Sequence, residues 1–303
     1  MKKVFLFFLL QLFFVTCLEA KEVVLTATLK YQNKSGQEVK KAYHRITIPA
    51  ETFYQKVLDI KLEGVPKFKI KTHKNNVDKY IKLYFNLPPY SEVIKKVSFK
   101  IDIKKQKLDL NDSWIIPKKH NLLFYTQSSK RIESDAKQIK AIAYLINKNA
   151  TSIVEKVKLA YEFTARYIDF SDMDKKTSAL TAIQTGIGDC TEYAYVFVSL
   201  LRALDIPARK TTYFSFKEDK TFSQPNHNAV DVFTNKYGWI PVYPNLSHGK
   251  YENSFQFGNI SDDLVLYKQG NSWTHYHNIS DEEVIDESKI HSQISWKIVT
   301  VKP

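Results

Sequence analysis

The sequence is short of cysteine: its 303 residues contain only Cys17 and Cys190. Cys17 lies in an N-terminal segment that we expect to be removed on export, which leaves Cys190 as the thiol of the mature chain. A lone thiol cannot form an internal disulfide, so the fold must rest on its hydrophobic cores. In an exported protein such a cysteine is either a reactive group or a small buried hydrophobe.

Long hydrophobic runs are also missing. A basic start and an apolar run from Val4 to Val15 have the shape of a secretory signal and are too short for a membrane span. We therefore expect residues 1–20 to be a signal peptide and the mature protein to be exported, either periplasmic or secreted. An N-terminal lipid anchor at Cys17 stays open as an alternative. No later run reaches the ~18 residues of a transmembrane helix.

Positive charge is concentrated in the N-terminal part. Lys21 to Leu110 contain 20 Lys and Arg against 9 Asp and Glu, whereas the chain from Asn111 onward contains 23 against 22. This excess favours an anionic envelope lipid or glycan as partner, and a solvated lysine-rich surface is the alternative. The sequence has no zinc finger, Gly-rich phosphate loop or basic helix, so no nucleic-acid partner is expected.

Alternation of apolar and polar residues divides residues 21–110 into short strands. The period of two and the wet, lysine-bearing face predict an antiparallel β-sandwich domain here. The clearest predicted strands are residues 23–29, 43–48, 68–71, 81–85 and 97–103.

Residues 111–303 form the second predicted domain, in which helices precede antiparallel strands. After an irregular connector at residues 111–130, we expect helices capped by Ser134 and Ser152 and a third helix that starts near Cys190. This order makes the predicted fold class α+β. Strands are expected at residues 210–214, 227–233 and 239–243.

Cys190 lies in a context that favours a reactive thiol. Gly186 and Gly188 precede it and a helical apolar pattern follows it, so the sulfur should sit in the first turn of a helix. There the helix dipole and unpaired N–H groups stabilise a thiolate. The nucleophile also needs a base, and His227, which opens a predicted strand after Asn226, is the best candidate among the eight histidines.

Four ordered blocks between Ala179 and Pro244 resemble the transglutaminase-like branch of the papain-like cysteine enzymes. The resemblance implies a transglutaminase-like (papain-like) catalytic domain after the sandwich, with a nucleophile at Cys190 and a general base and acid at His227. The flanking Asp189 and Glu192 are expected to cap the helix. The matching blocks are Gly188–Ala194, Leu200–Arg209, His227–Val232 and Tyr237–Pro244.

The third catalytic position departs from that family, which usually has an aspartate where this chain has Tyr243. A tyrosine hydroxyl can accept a hydrogen bond from the imidazole but brings no negative charge. Asn245 could orient the ring instead, and Asp231 is a weaker candidate. The chain could therefore use a Cys–His pair with a neutral orienter, catalyse slowly, or have lost catalysis.

Two weaker signals complete the candidate sites. Gln184 lies six residues before Cys190, a spacing similar to that of papain's glutamine, and its alternative is a surface position on a helix. His275 and His277 could share one face of a strand, but no third ligand is evident. Neither a metal nor another cofactor is expected.

These observations predict an exported cysteine enzyme that acts on amide bonds of a protein or peptide through an acyl-enzyme. Hydrolysis is favoured over transglutamination, because water is always present and no site for an acceptor amine can be recognised. The alternative is a catalytically weakened or inactive binding or scaffold protein of the cell envelope. Tyr243 favours this alternative, and the presence of Cys190 and His227 argues against it.

Overall fold

A computed structural model describes residues 20–74, 77–110, 120–173, 177–244, 258–270, 275–278 and 287–301. The predicted signal peptide up to residue 19, much of the predicted connector, and Asn245 lie outside the described residues. In the part that is described, no helix is both long and apolar enough to cross a membrane.

The described residues form seventeen β-strands and four α-helices. The strands are β1 (Ala20–Asn33), β2 (Val39–Thr47), β3 (Gln55–Glu63), β4 (Lys67–Thr72), β5 (Lys79–Leu87), β6 (Ser91–Lys104), β7 (Gln106–Lys107), β8 (Asp169–Phe170), β9 (Ile187–Gly188), β10 (Ala208–Ser215), β11 (Lys220–Phe222), β12 (His227–Thr234), β13 (Gly238–Val242), β14 (Asn259–Ile260), β15 (Leu264–Gln269), β16 (His275–Asn278) and β17 (Ile290–Thr300). The helices are α1 (Lys137–Asn149), α2 (Ile153–Tyr167), α3 (Ala179–Thr185) and α4 (Cys190–Ala203).

The N-terminal part is a β-sandwich, as predicted. One sheet has the order β11-β17-β1-β6-β3 and the other the order β16-β2-β5-β4, and all of these pairings are antiparallel. Period-two alternation in β1 turns Val23, Leu25 and Ala27 inward, and all three are fully buried in the core between the sheets.

The C-terminal strands, which the sequence analysis assigned to the second domain of residues 111–303, lie in the sandwich. β17 pairs with β1 along its whole length, and Trp296 of β17 is fully buried in the sandwich core. β16 pairs with β2 in the other sheet. Local periodicity indicates where a strand lies but not which strand it pairs with. The pairing between the two ends of the chain therefore could not be predicted from the alternation pattern.

The second part packs helices against an antiparallel sheet of order β13-β12-β10-β15. α4 is buried from Thr191 to Arg202, because it lies between this sheet and the helices α1, α2 and α3. The fold class is therefore α+β, with helices first and strands after, as the sequence predicts.

Local capping signals were partly right. Ser152 accepts a hydrogen bond from the backbone of Glu155 at the start of α2, as predicted. Ser134 is not a cap: α1 starts after Ala136, which makes no side-chain capping bond. The sequence analysis also missed α3 and several strands, among them the edge strand β3, β15 and β17.

Candidate active site

The first turn of α4 is fixed by a capping box. Asp189 accepts a hydrogen bond from the backbone N–H of Thr191 at 2.6 Å, and Glu192 accepts one from the N–H of Asp189 at 3.1 Å. Glu192 is fully buried and also accepts from the N–H of Thr177 at 2.9 Å. The two acids thus hold the helix terminus, as predicted, and the thiol of Cys190 projects from its first residue.

Two glycines bring the chain into this helix. Gly186 ends α3 in the left-handed region, at φ +70°, which a larger residue adopts only with strain. A Cβ on Gly188 would lie 2.4 Å from the Cβ of Glu192. Gly188 therefore permits the close approach that buries Glu192 beside Cys190.

The sulfur of Cys190 contacts a residue that sequence reasoning missed. Asn228 donates from Nδ2 to Cys190 Sγ at 3.8 Å and to Thr191 Oγ1 at 3.0 Å. Its Oδ1 accepts from Lys210 Nζ and from Thr212 Oγ1, both at 3.0 Å. Strand alternation puts residues 210, 212 and 228 on the sheet face that carries α4, and this alternation is the signal that could have found them.

The thiol is protonated at rest. Burial raises the pKa of Cys190, and nearby Asp189 raises it further, against hydrogen bonds from Asn228 and the positive charge of Lys210. The expectation that the helix terminus lowers the thiol pKa is wrong for this structure, because desolvation outweighs the helix terminus and the two donors.

His227 opens β12 directly opposite Tyr213 of β10. Its ring is half-buried, its Nε2 has no hydrogen-bond partner among the described residues, and burial lowers its pKa to about 4. Within the described part of the chain, no hydrogen bond joins this ring to the sulfur of Cys190. Asn228, the next residue on β12, points to the opposite sheet face from His227, and it is Asn228 that contacts the sulfur.

Tyr243 packs beside His227 without bonding to it. Its ring centroid lies 6.2 Å from that of His227 and 5.9 Å from that of Tyr213. Its hydroxyl interacts with Tyr213, whose own hydroxyl lies 3.3 Å from that of Tyr54. Burial raises the pKa of Tyr243, so the hydroxyl stays neutral.

The remaining predicted candidates lie elsewhere. Asp231 is buried and accepts two hydrogen bonds from Arg209, at 3.0 and 3.1 Å, and Arg209 stacks over Trp239 at 4.2 Å. The Asp231 carboxylate is thus paired with Arg209. Among the described residues, no hydrogen bond joins Asp231 to His227. Gln184 is exposed on α3 and has no hydrogen bond to Cys190.

Comparison with known proteins identifies the part of the chain that carries this site. Residues 139–244 match the model of the transglutaminase-like superfamily, and that range contains Cys190, His227 and Tyr243. These residues are a transglutaminase-like domain. No curated protein shows detectable similarity to the sequence.

One solved structure supports the fold around the transglutaminase-like domain. A candidate cysteine protease from Cytophaga hutchinsonii is 16% identical and superposes with a TM-score of 0.64 over 94% of this chain and 92% of the other. The shared fold thus includes the sandwich. The periplasmic domain of TgpA from Pseudomonas aeruginosa matches over 74% of this chain and 91% of its own, at 14% identity and a TM-score of only 0.36.

A cleft of about 650 Å³ opens beside the transglutaminase-like site and is lined by His227 and Tyr243. Lys105 and Lys107 from the sandwich side and Lys217, which follows β10, also line it. Asp263 on the same wall is paired with Lys21 at 2.8 Å. The cleft therefore gives a substrate access to the imidazole, and the charged side chains on its wall are mostly basic.

No group of three or more His, Cys, Asp or Glu is placed to hold a metal ion in the described ranges. His275 lies on β16 and stacks on His44 at 5.4 Å, within the sandwich. The side chain of His277 lies outside the described residues.

Proposed function

We propose that the protein is an exported cysteine hydrolase that cleaves amide bonds in a protein or peptide. Cys190 is the nucleophile and His227 the general base and acid. The observation that carries the proposal is the position of Cys190 at the start of α4, inside the transglutaminase-like domain, with the amide of Asn228 directed at its sulfur.

The proposed reaction has two halves. Cys190 Sγ attacks the carbonyl carbon while His227 takes the thiol proton and passes it to the leaving amine as the C–N bond breaks. Water then attacks the thioester, its hydroxyl joins the acyl group, and its other proton returns through His227 to the sulfur. The N–H of Cys190 at the helix terminus and Nδ2 of Asn228 are the proposed donors to the oxyanion.

The resting protonation states set the order of events. A thiol with a raised pKa and an imidazole with a pKa of about 4 are both neutral near pH 7, so no thiolate–imidazolium pair precedes substrate. The proton must then move as the sulfur attacks, and the ring of His227 must turn toward Sγ to receive it. This requirement is part of the proposal.

Hydrolysis is the favoured outcome of the thioester. Water reaches the partly exposed thiol without a dedicated site, whereas transglutamination needs a second site for a lysine amine. The cleft beside His227 carries lysines on its wall, which would repel a protonated amine from that side.

A binding protein without turnover is the second candidate. Two observations favour it: the hydroxyl of Tyr243 interacts with Tyr213, and Nε2 of His227 has no partner among the described residues. An imidazole without an orienting partner is a weak base catalyst.

Turnover of p-nitrophenyl acetate separates the two candidates, because this ester acylates any competent thiol and needs no recognition. A hydrolase releases many equivalents of p-nitrophenol per chain, and Cys190→Ala abolishes the release. A single equivalent or none would contradict hydrolysis and leave the binding protein. Acceleration by added cadaverine would contradict water as the preferred acceptor.

We also propose that the mature protein acts at the cell envelope, where the basic sandwich binds an anionic partner. The N-terminal sequence and the charge excess of residues 21–110 support this location.

A further inference from the structure

The outer face of the sheet formed by β2, β5 and β4 carries a row of three cations. Strand register puts Lys69 of β4 directly opposite Lys82 of β5, and Lys82 directly opposite Arg45 of β2. Adjacent strands are about 4.8 Å apart, so the row crosses about 10 Å of the sheet. We call Lys69, Lys82 and Arg45 the cation row.

Like charges directly opposite each other destabilise a sheet. The sequences of β2, β4 and β5 contain no Asp or Glu, and neither Lys69 nor Lys82 makes an ion pair among the described residues. The carboxylate of Glu38 bonds to Asn86, four residues beyond Lys82 along β5. Four residues span about 13 Å, more than the ~8 Å over which exposed charges interact at physiological salt.

The other sheet of the same sandwich shows that this chain can pair its lysines across strands. There Lys30 bonds to Glu92 at 2.9 Å, Lys100 to Glu22 at 2.9 Å and Lys96 to Glu63 at 3.4 Å. Lys69 and Lys82 thus depart from a pattern that the same fold follows on its opposite side.

Tyrosines hold the row in place. Lys82 Nζ lies 3.7 Å from the ring centroid of Tyr43 and 4.9 Å from that of Tyr84. The guanidinium of Arg45 lies 4.9 Å from the ring of Tyr43 and 5.7 Å from that of Tyr80. Cation–π contacts of this kind orient the positive groups along the sheet face, so less order is lost when an anion binds.

We propose that the cation row is a binding site for an acidic polysaccharide that lies across β4, β5 and β2. This proposal rests on the proposed function, because it specifies which anionic partner the sandwich binds. It does not depend on the chemistry at Cys190. Carboxylates of the polymer pair with the three cations, and sugar hydroxyls bond to the tyrosine hydroxyls.

The composition of the face favours a glycan over a membrane or a nucleic acid. The outward positions beside the row on β2, β5 and β4 are tyrosine, lysine and Thr47, with no aliphatic side chain to enter a bilayer. The rings of Tyr43 and Tyr84 already face Lys82, whereas single-stranded nucleic acid needs open aromatic faces for its bases.

The test measures the affinity of the full mature chain for polygalacturonate, with neutral dextran as reference. The variant Lys69→Gln with Lys82→Gln breaks the row, and Lys30→Gln with Lys100→Gln removes the same charge from the other sheet. The row variant should weaken binding by roughly tenfold or more, because two charge-assisted contacts are lost. The control variant, Lys30→Gln with Lys100→Gln, should weaken binding by less than about twofold. Cys190→Ala should bind like the wild type.

Lys69→Gln alone is the second variant, since β4 is exposed along its length and the fold does not depend on this side chain. It should weaken binding and raise the melting temperature slightly, because it relieves repulsion with Lys82. Equal losses in the row and control variants would overturn the site but leave the anionic partner. No binding to polygalacturonate at low salt, or tighter binding to phosphatidylglycerol vesicles or single-stranded DNA, would overturn the glycan.

Discussion

The side-chain amide of Asn228 donates to the sulfur of Cys190 at 3.8 Å, and it is held there by Lys210 and Thr212. The residue after the candidate base thus contacts the candidate nucleophile, while the base itself lies on the opposite face of the strand. This arrangement makes the thiol environment depend on residues that the catalytic motif does not include.

Asn228→Ala should make the thiol less acidic. It removes a side-chain donor to Sγ, so we expect the thiol pKa to rise and alkylation near pH 8 to slow. The measurement is the pH dependence of iodoacetamide alkylation. Asn226→Ala is the matched control, because the bonds of the Asn226 side chain among the described residues are to the backbone of Ser215. An unchanged alkylation profile in Asn228→Ala would exclude the amide from the thiol environment.

Lys210→Met should act in the same direction. Lys210 is buried, lowers the thiol pKa by its charge and fixes the Oδ1 of Asn228. Methionine keeps most of the volume and removes the charge, so alkylation near pH 8 should slow several-fold. The exposed Lys236→Met serves as control. Faster alkylation in Lys210→Met would contradict the assigned role of the ammonium group.

The wild-type alkylation rate should still be rising at a pH of about 8.5, the ordinary pKa of a free thiol. Burial raises the pKa of Cys190, so the thiolate fraction grows only above that range. A plateau near neutral pH would reveal a thiolate–imidazolium pair in the resting protein and contradict the neutral state described above.

His227 should make the protein less stable in acid. The folded state keeps the ring neutral down to a pH of about 4. The unfolded chain protonates near pH 6.5, so the free energy of unfolding should fall by up to about 3 kcal/mol between pH 6.5 and 4. Urea unfolding at several pH values measures this slope, and His227→Gln should flatten it. Equal slopes in both proteins would refute the lowered pKa.

Tyr243→Phe should leave the alkylation of Cys190 unchanged, because the hydroxyl interacts with Tyr213 and not with His227. Its expected effect is a loss of about 1 kcal/mol in the free energy of unfolding. Tyr243→Asp should raise the pKa of His227 by putting a negative charge beside the ring, and NMR titration of the imidazole would show it. A slower alkylation in Tyr243→Phe would restore the hydroxyl as the orienter of the imidazole.

A fragment from Lys21 to Leu110 should not fold. It lacks β17, which pairs with β1 from Val23 to Asn33 and brings Trp296 into the core. Fusing residues 287–303 to it through a flexible linker should restore β-structure by circular dichroism. A cooperative thermal transition in the unfused fragment would show that the N-terminal strands form a sufficient core.

The sequence predicted the features that are encoded locally. Period-two alternation found most sandwich strands, and Asp189 with Glu192 carries the capping box of α4 within four residues. Contacts between distant parts of the chain could not be predicted. β17 pairs with β1 although the two strands lie at opposite ends of the chain. Asn228 contacts Cys190 only because β12 packs on α4. The thiol pKa was misjudged because the helix terminus is visible in the sequence, whereas burial depends on the packed fold.

The most direct measurement is intact-mass spectrometry of the protein quenched in acid during turnover of p-nitrophenyl acetate. We predict one acetyl group on Cys190 that builds up and decays in the wild type. In His227→Gln the group should form more slowly and, once formed, persist, because neither the thiol nor water is activated. A wild-type chain that is never acetylated at Cys190, or one that stays acetylated as long as His227→Gln does, would contradict the proposed hydrolase.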